Sequence, residues 1–561
     1  MEAKSHSRGT YKTEGQVSWM EQDLLDCSTD LKSSFEPTPI DRRYNAILRD
    51  KHEKLHVCVV GAGFAGLRCA DVLIENGVQV TILEARNRIG GRVHQMDLLN
   101  HTVDMGPNWI HGTLANPILN LARKTEAALC LAEDSMCVFD QCGQSIDMEK
   151  SAEFFEIVWS IISDAFKYSN EDCSNISPQK SLKDFFTQKL YEKKLSEENQ
   201  TLILQMAEMW GAFIGDPWDK QSLKYFWLEE CLDGENFFVA SNHGTILQSV
   251  AERALNKAEI FLSTKVISVE SNDGTEKHPK VLIRTDEQVF EFDEVVITVP
   301  LGCLKRQEPT FSPPLPISII RAIENTSYSS LEKVYITFPA AFWDSLASNS
   351  EFMLPEKVAA FSSFVHFLRP TYSPENPESW NLELNSLSSP ETFGSHAQPT
   401  LLFCIYGPCA MHITSLITPL SPSSLEYFTI IDDFFRPYYS LLPNYVPDDP
   451  HCRPRAVLAT NWQNDRLAGC GSYMNFKVSD EPRTPDAEVK LEEDIRALRW
   501  GWPEKGIWLA GEHTAPFVAL GTLTGAYWSG ESVGMRILRA HGRAGPSEEQ
   551  GSNEQPNEES I

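Results

Sequence analysis

The sequence predicts a mixed α/β (α+β) fold, on three observations. A βαβ unit with a glycine-rich turn opens the patterned region at residues 56–83. Helical apolar spacing dominates residues 116–235. Short apolar strands recur as far as residues 507–510, with a helical pattern after them. Strands and helices that alternate over such a span exclude an all-α or all-β protein.

Each element follows from its residues. His56-Val57-Cys58-Val59-Val60 is a short apolar strand, and residues 78–83 are a second. Between them Leu67, Ala70, Val72, Leu73 and Ile74 share one helix face. Phe154, Ile157, Val158, Ile161 and Ile162 repeat at helical spacing, as do residues 202–210. Strands are expected at 281–284, 295–299, 334–338 and 507–510, and a helix at 524–538. Residues 1–54 lack apolar periodicity and read as a flexible extension. Residues 370–399, rich in Ser, Pro, Asn and Glu, read as a surface insertion. Residues 541–561 read as a disordered acidic tail.

Composition narrows the function. The chain has 561 residues, and its charge is 49 − 78 = −29. A polyanion such as nucleic acid is repelled, whereas a small cationic partner is admitted. Thirteen cysteines form no CxxC pair; the closest spacings are Cys137/Cys142 and Cys404/Cys409. No metal site is expected, and the thiols fit a reducing compartment. No apolar run reaches the ~18 residues of a membrane span, and residues 1–50 hold no apolar signal core. The expectation is an intracellular protein without membrane or nucleic-acid partners. The cytoplasm comes first, and the nucleus and peroxisome remain open.

The chemistry starts at Gly61-Ala62-Gly63-Phe64-Ala65-Gly66, a G-x-G-x-x-G turn between strand and helix. Gly61 permits the tight turn, Gly63 the approach of a pyrophosphate, and Gly66 the packing of helix on sheet. The helix N-terminus presents free N–H groups to phosphate. Glu84 ends the second strand, where a carboxylate accepts ribose hydroxyls and repels a 2′-phosphate. NADP is disfavoured; NAD and FAD both fit. Beyond Glu84-Ala85-Arg86, the pair Gly90-Gly91 lies between Arg88 and Arg92, a second close-approach loop with positive charge.

This run resembles the second half of the FAD fingerprint of flavin amine oxidases, with polyamine oxidases of the spermine oxidase kind the nearest group. The likeness continues through Asp104-Met105-Gly106-Pro107-Asn108-Trp109-Ile110-His111-Gly112. Further matches are residues 264–267, 299–302, 461–473, 511–514 and 521–531. It covers about residues 55–540, except 370–399. The resemblance implies FAD as cofactor, held by Gly61, Gly63, Ala65, Gly66, Glu84, Ala85, Arg86, Gly91, Arg92, Val266, Glu512, Thr522 and Leu523. In the family the equivalent of Val266 offers backbone to adenine. That of Glu512 lies beside the ribityl chain, and that of Leu523 meets the flavin pyrimidine edge. A Rossmann-like FAD domain is implied from 55–115, 237–318 and 454–540. It interleaves with a mixed-sheet and helical substrate domain from 116–236 and 319–453.

The implied reaction is oxidation of spermine, spermidine or an acetylated form. Hydride passes to flavin, and O₂ reoxidation yields H₂O₂, an aldehyde and an amine. Lys333 enters an apolar strand, where burying an ammonium is costly. The family lysine at this place holds a water against flavin N5. His111 matches a tunnel-lining histidine, and both a catalytic and a structural role stand open. Tyr473 and Phe517 fall where the family places aromatic walls, with Phe517 replacing the commoner tyrosine. Glu229 and Glu230, with Asp233 and Glu235 nearby, are either carboxylates for distal ammonium groups or a solvated acidic loop. Alternatives of the same fold are a histone lysine demethylase-like enzyme, an L-amino-acid oxidase, or a non-catalytic flavin- or ligand-binding relative. A monomer or weak homo-oligomer is expected.

Overall fold

Apolar runs with no polar alternation belong in sheets covered on both faces. The strand His56–Val60 is such a run, and Val57, Cys58 and Val59 have no exposed surface. The computed structural model describes residues 55–131, 136–271, 280–344, 363–479 and 491–543. The expected extension at 1–54 and the tail from 544 onward lie outside the described residues.

His56–Val60 is the centre of a five-stranded sheet, ordered Ile507–Leu509, Glu294–Ile297, His56–Val60, Gln79–Leu83, Glu259–Phe261. Every pairing in it is parallel. Its strands come from widely separated parts of the chain. The first helix, Phe64–Glu75, packs against the last, Leu523–Ala540. Gly530 permits this approach, since a β-carbon there would lie 2.1 Å from the Ala65 carbonyl oxygen. Arg68 ties the two helices through Glu531.

A second sheet has six strands, ordered Ala456–Ala459, Leu331–Thr337, Thr400–Tyr406, Leu382–Ser386, Phe364–Phe367, Met136–Phe139. Period-two alternation divides its faces. Val334, Ile336, Phe403, Leu384 and Val365 are buried with residues of the helices Gly407–Ile417 and Leu425–Tyr439. The opposite face looks into a cavity.

Three expectations are corrected here. Residues 370–399 are not merely a surface insertion: Leu382–Ser386 is an interior strand, paired on both sides. Residues 116–235 are not wholly helical, because Met136–Phe139 pairs in parallel with Phe364–Phe367. The body extends past 540, since His541 is 2 % exposed and its Nε2 lies 2.8 Å from Glu294 Oε1.

Helices between residues 148 and 214 cover the cavity. Met148–Asp172 starts at Asp147, whose carboxylate accepts from Lys150 N–H. Leu182–Glu192 starts with a Ser181/Asp184 capping box. Among the described residues, no helix is long and apolar enough to cross a membrane.

Candidate active site

Ligands of open parallel sheets bind beyond the carboxyl ends of the strands. Four of the five strands here end at cavity-lining residues: Gly61, Glu84, Thr298 and Gly511. The cavity holds about 660 Å³ and runs on to the inner face of the six-stranded sheet.

The glycine loop shows which positions await a ligand. Gly61 adopts φ +111°, so its glycine is conformational. A β-carbon on Gly66 would stand 2.1 Å from the Gly61 carbonyl oxygen, so its glycine is a packing requirement. Gly63 needs neither: its φ is −76°, and a β-carbon there would meet nothing within 4 Å. It borders the cavity and caps the first helix without a side-chain bond. That open approach, with first-turn N–H groups that have no partner within the helix behind it, fits a pyrophosphate. Glu84 is 7 % exposed and accepts from Ala62 N and Arg86 N, each at 2.7 Å. Each carboxylate oxygen keeps a second lone pair for a ribose hydroxyl.

The positive charge of the second loop is held in place. Arg92 Nη1 donates to Ser472 O at 2.5 Å, Glu512 Oε1 at 3.0 Å and Tyr328 OH at 3.1 Å. Burial alone would lower its pKa, but Tyr328 and Glu512 outweigh that and raise it, so the guanidinium stays charged. Arg86 pairs with Asp465 at 2.8 Å. Ala65, Ala85, Gly91, Val266, Glu512, Thr522 and Leu523 all border the same cavity, whereas Gly66 lies behind it. Thr522 caps the last helix by accepting from Gly525 N at 2.9 Å, which points that helix start at the cavity. These groups fit FAD, with phosphates at Gly63 and the first helix, ribose at Glu84, and the far end near Arg92, Glu512 and Leu523.

Lys333 sits in the strand Leu331–Thr337, is 8 % exposed, and borders the cavity. Its Nζ donates to Gly106 O and to Asn108 Oδ1. Burial pulls its pKa from 10.5 to about 8, against smaller opposing effects of Cys404 and Asp104. The lysine therefore exchanges a proton near neutral pH. Asn108 stands in the quoted Asp104–Gly112 motif but was not expected as a site residue; its side-chain oxygen is what orients Nζ.

His111 borders the cavity, and burial lowers its pKa, so its ring is neutral at pH 7. Tyr473 also borders it and donates its hydroxyl to Phe213 O at 2.7 Å. Glu229 and Glu230 border it, while Asp233 and Glu235 do not. Burial raises the Glu229 carboxyl to about 8, so it is mostly protonated at pH 7 until a cation meets it. Phe517 is a correction. It is not among the cavity-lining residues but packs behind them, edge-to-face on Trp227 at 5.4 Å. The guanidinium groups of Arg496 and Arg499 lie 4.9 and 4.8 Å from its ring. The cavity also meets Cys404, Glu383, Asn385 and His366, which were not expected as site residues. For Glu383 and Asn385 the one signal was the alternation Leu382-Glu383-Leu384-Asn385.

The chain can be compared with known proteins. It is 25% identical over 500 residues to a corticosteroid-binding protein of Candida albicans, covering 84% of this chain and 94% of that one. It is 27% identical over 504 residues to a probable polyamine oxidase 4 of Arabidopsis thaliana, covering 86% and 87%. A solved structure of putrescine oxidase, redesigned in its cofactor binding, superposes with a TM-score of 0.61. That match covers 86% of this chain and 99% of the other at 16% identity, and shows a common fold. The family model for flavin containing amine oxidoreductase matches residues 64–538. That span starts inside the glycine loop, just past Gly61 and Gly63, and takes in Gly66, Glu84 and Arg92; the chain belongs to the flavin containing amine oxidoreductases, and its cofactor is FAD.

Proposed function

We propose that the protein oxidises polyamines, namely spermine, spermidine or their acetylated forms, at the carbon beside an amine nitrogen. The observation that carries this is one continuous cavity joining the glycine loop and Lys333 to carboxyl groups at Glu229, Glu230 and Glu383. FAD, when bound, supplies the hydride acceptor and, with O₂, the route to H₂O₂. The chain supplies the rest. An amine must be neutral before hydride leaves, and a Lys333 Nζ that titrates near pH 8 can take or return that proton. The neutral ring of His111 can accept a bond from an amine N–H. Trp159 and Phe166 wall the cavity and keep water from the reacting carbon. Hydrolysis of the resulting imine would release an aldehyde and an amine.

The test is a purified full-length protein with a flavin spectrum, assayed for peroxide. Spermine, acetylspermine, a methyl-lysine peptide and L-amino acids are the panel. Peroxide with a polyamine is expected. A protein that takes up no flavin refutes oxidation altogether, and turnover of an amino acid alone refutes the polyamine. The likeness to the corticosteroid-binding protein over 94% of its length favours one second reading, a ligand-binding protein without turnover. That would give a yellow protein silent with every amine and able to bind a steroid.

A further inference from the structure

The six-stranded sheet carries a row of polar and ionisable side chains. Lys333 stands opposite Cys404, Cys404 opposite Glu383, and Glu383 opposite His366. Directly opposite residues share a face. The four therefore lie in one line across four adjacent strands, and all four border the cavity. The next row, Val334, Phe403, Leu384 and Val365, is wholly buried on the other face. A slip of one residue would bury the polar row and expose the apolar one, so the core pins this register.

Strand spacing of ~4.8 Å puts Glu383 two strands, roughly 10 Å, from Lys333 along the row. Its carboxylate is poorly satisfied. Oε2 lies 3.5 Å from His366 Nε2, and Oε1 accepts from Asn385 Nδ2 at 3.3 Å. Among the described residues no arginine or lysine pairs with it. His366 is 3 % exposed, and its Nδ1 has no partner. A carboxylate offers about four acceptor sites, and long contacts fill few of them. A pair built only to join two strands would be closer and would not border a cavity.

We infer that Glu383, backed by His366 and Asn385, binds a second positively charged nitrogen of the substrate. The row then acts as a ruler. One nitrogen lies at the Lys333 end and another about 10 Å along it, the linker passing over Cys404 and Leu402. The inference rests on the amine-oxidising function proposed above and assigns that site its selectivity.

The test uses the FAD-loaded full chain and Glu383→Gln, which removes charge and keeps shape. Spermine is compared with octylamine, which has no second nitrogen. The spermine kcat/KM should fall about 30- to 100-fold, chiefly through KM, as loss of a charge-assisted bond requires. Octylamine should stay within about twofold, since that amine makes no such bond. Glu383→Asp keeps the charge one methylene back and should lose only about 3- to 10-fold on spermine. Thermal stabilisation by spermine gives a readout without turnover: present in the parent and the aspartate variant, lost in the glutamine variant. Equal losses on both amines, or none on spermine, would overturn the inference, as would a parent protein that spermine neither stabilises nor serves as substrate. A parent that oxidises spermine, with Glu383→Gln unchanged, refutes the subsite and spares the oxidase. A parent stabilised by spermine through Glu383 but inert with every amine does the reverse.

Discussion

Two glycines of one motif should fail in opposite ways when each becomes alanine. At Gly66 the new β-carbon would lie 2.1 Å from a backbone oxygen, where ordinary contact begins near 3.4 Å. The helix must retreat by about 1.3 Å, and overpacking of this kind costs roughly 1–3 kcal/mol or more. At Gly63 the β-carbon meets nothing within 4 Å, and φ −76° suits any residue. Alanine is a poorer helix cap by up to ~1 kcal/mol, while a stiffer unfolded chain returns ~0.4–1 kcal/mol. The two nearly cancel. The methyl instead fills the space through which the pyrophosphate approaches. Losing one charge-assisted bond to a backbone N–H costs ~1.5–3 kcal/mol, or roughly 10- to 150-fold in FAD affinity. The assay is the flavin-to-protein ratio on titration with FAD, beside thermal unfolding of the flavin-free protein. Gly63→Ala should unfold like the parent and hold FAD weakly, whereas Gly66→Ala should unfold early without FAD. A Gly63→Ala protein that binds FAD like the parent would refute the reasoning.

Other outcomes follow from the buried titratable groups. Lys333→Met should keep its flavin-to-protein ratio but lose at least about tenfold in turnover, since only the proton-exchanging group is gone; loss of FAD would make Lys333 structural. Because burial brings Lys333 to about 8, its neutral fraction should climb from roughly a tenth at pH 7 to nine-tenths at pH 9. Turnover limited by neutral Lys333 should rise about ninefold over that range in the parent and stay flat in Lys333→Met. The same lowered pKa means the unfolded chain holds the extra proton between about pH 8 and 10.5. Its contribution to stability therefore increases with pH through that window, which denaturant titrations would read. Glu229, raised to about 8, should release up to about one proton when spermine binds at pH 7. Calorimetry in buffers of differing ionisation enthalpy would detect the release, and Glu229→Gln should abolish it.

What was legible in the sequence had a local physical cause. The glycine loop was legible because φ, close packing and ligand approach each demand glycine within six residues. Lys333 stood out as a charge inside an apolar strand, but only the family resemblance separated it from a lysine that reaches back to solvent at a strand end. Phe517 was not legible, because its direction is set by Trp227, Arg496 and Arg499, and the first of these is far away in the chain. The strand Leu382–Ser386 was hidden by polar flanks. Asn381 Nδ2 donates to Gln205 O at 2.8 Å, and Ser386 Oγ accepts from Trp343 Nε1 at 2.9 Å. Such residues read as solvent-facing until their partners are known. The polar row was hidden for a further reason: its neighbours stand 71, 21 and 17 residues apart, so only strand register joins them.

The contact between the first and last helices has a consequence for biosynthesis. Arg68 and Glu531 are 463 residues apart. At translation speeds of about 5–20 residues per second, the first helix waits roughly 25–90 s for its partner. Over that interval Ala65, Cys69 and Val72, later sealed by the last helix, have nothing to pack against. The glycine loop is made early, yet the cofactor cannot be enclosed before the last helix arrives. A chain cut before the last helix should therefore fail to hold flavin even though its glycine loop is intact.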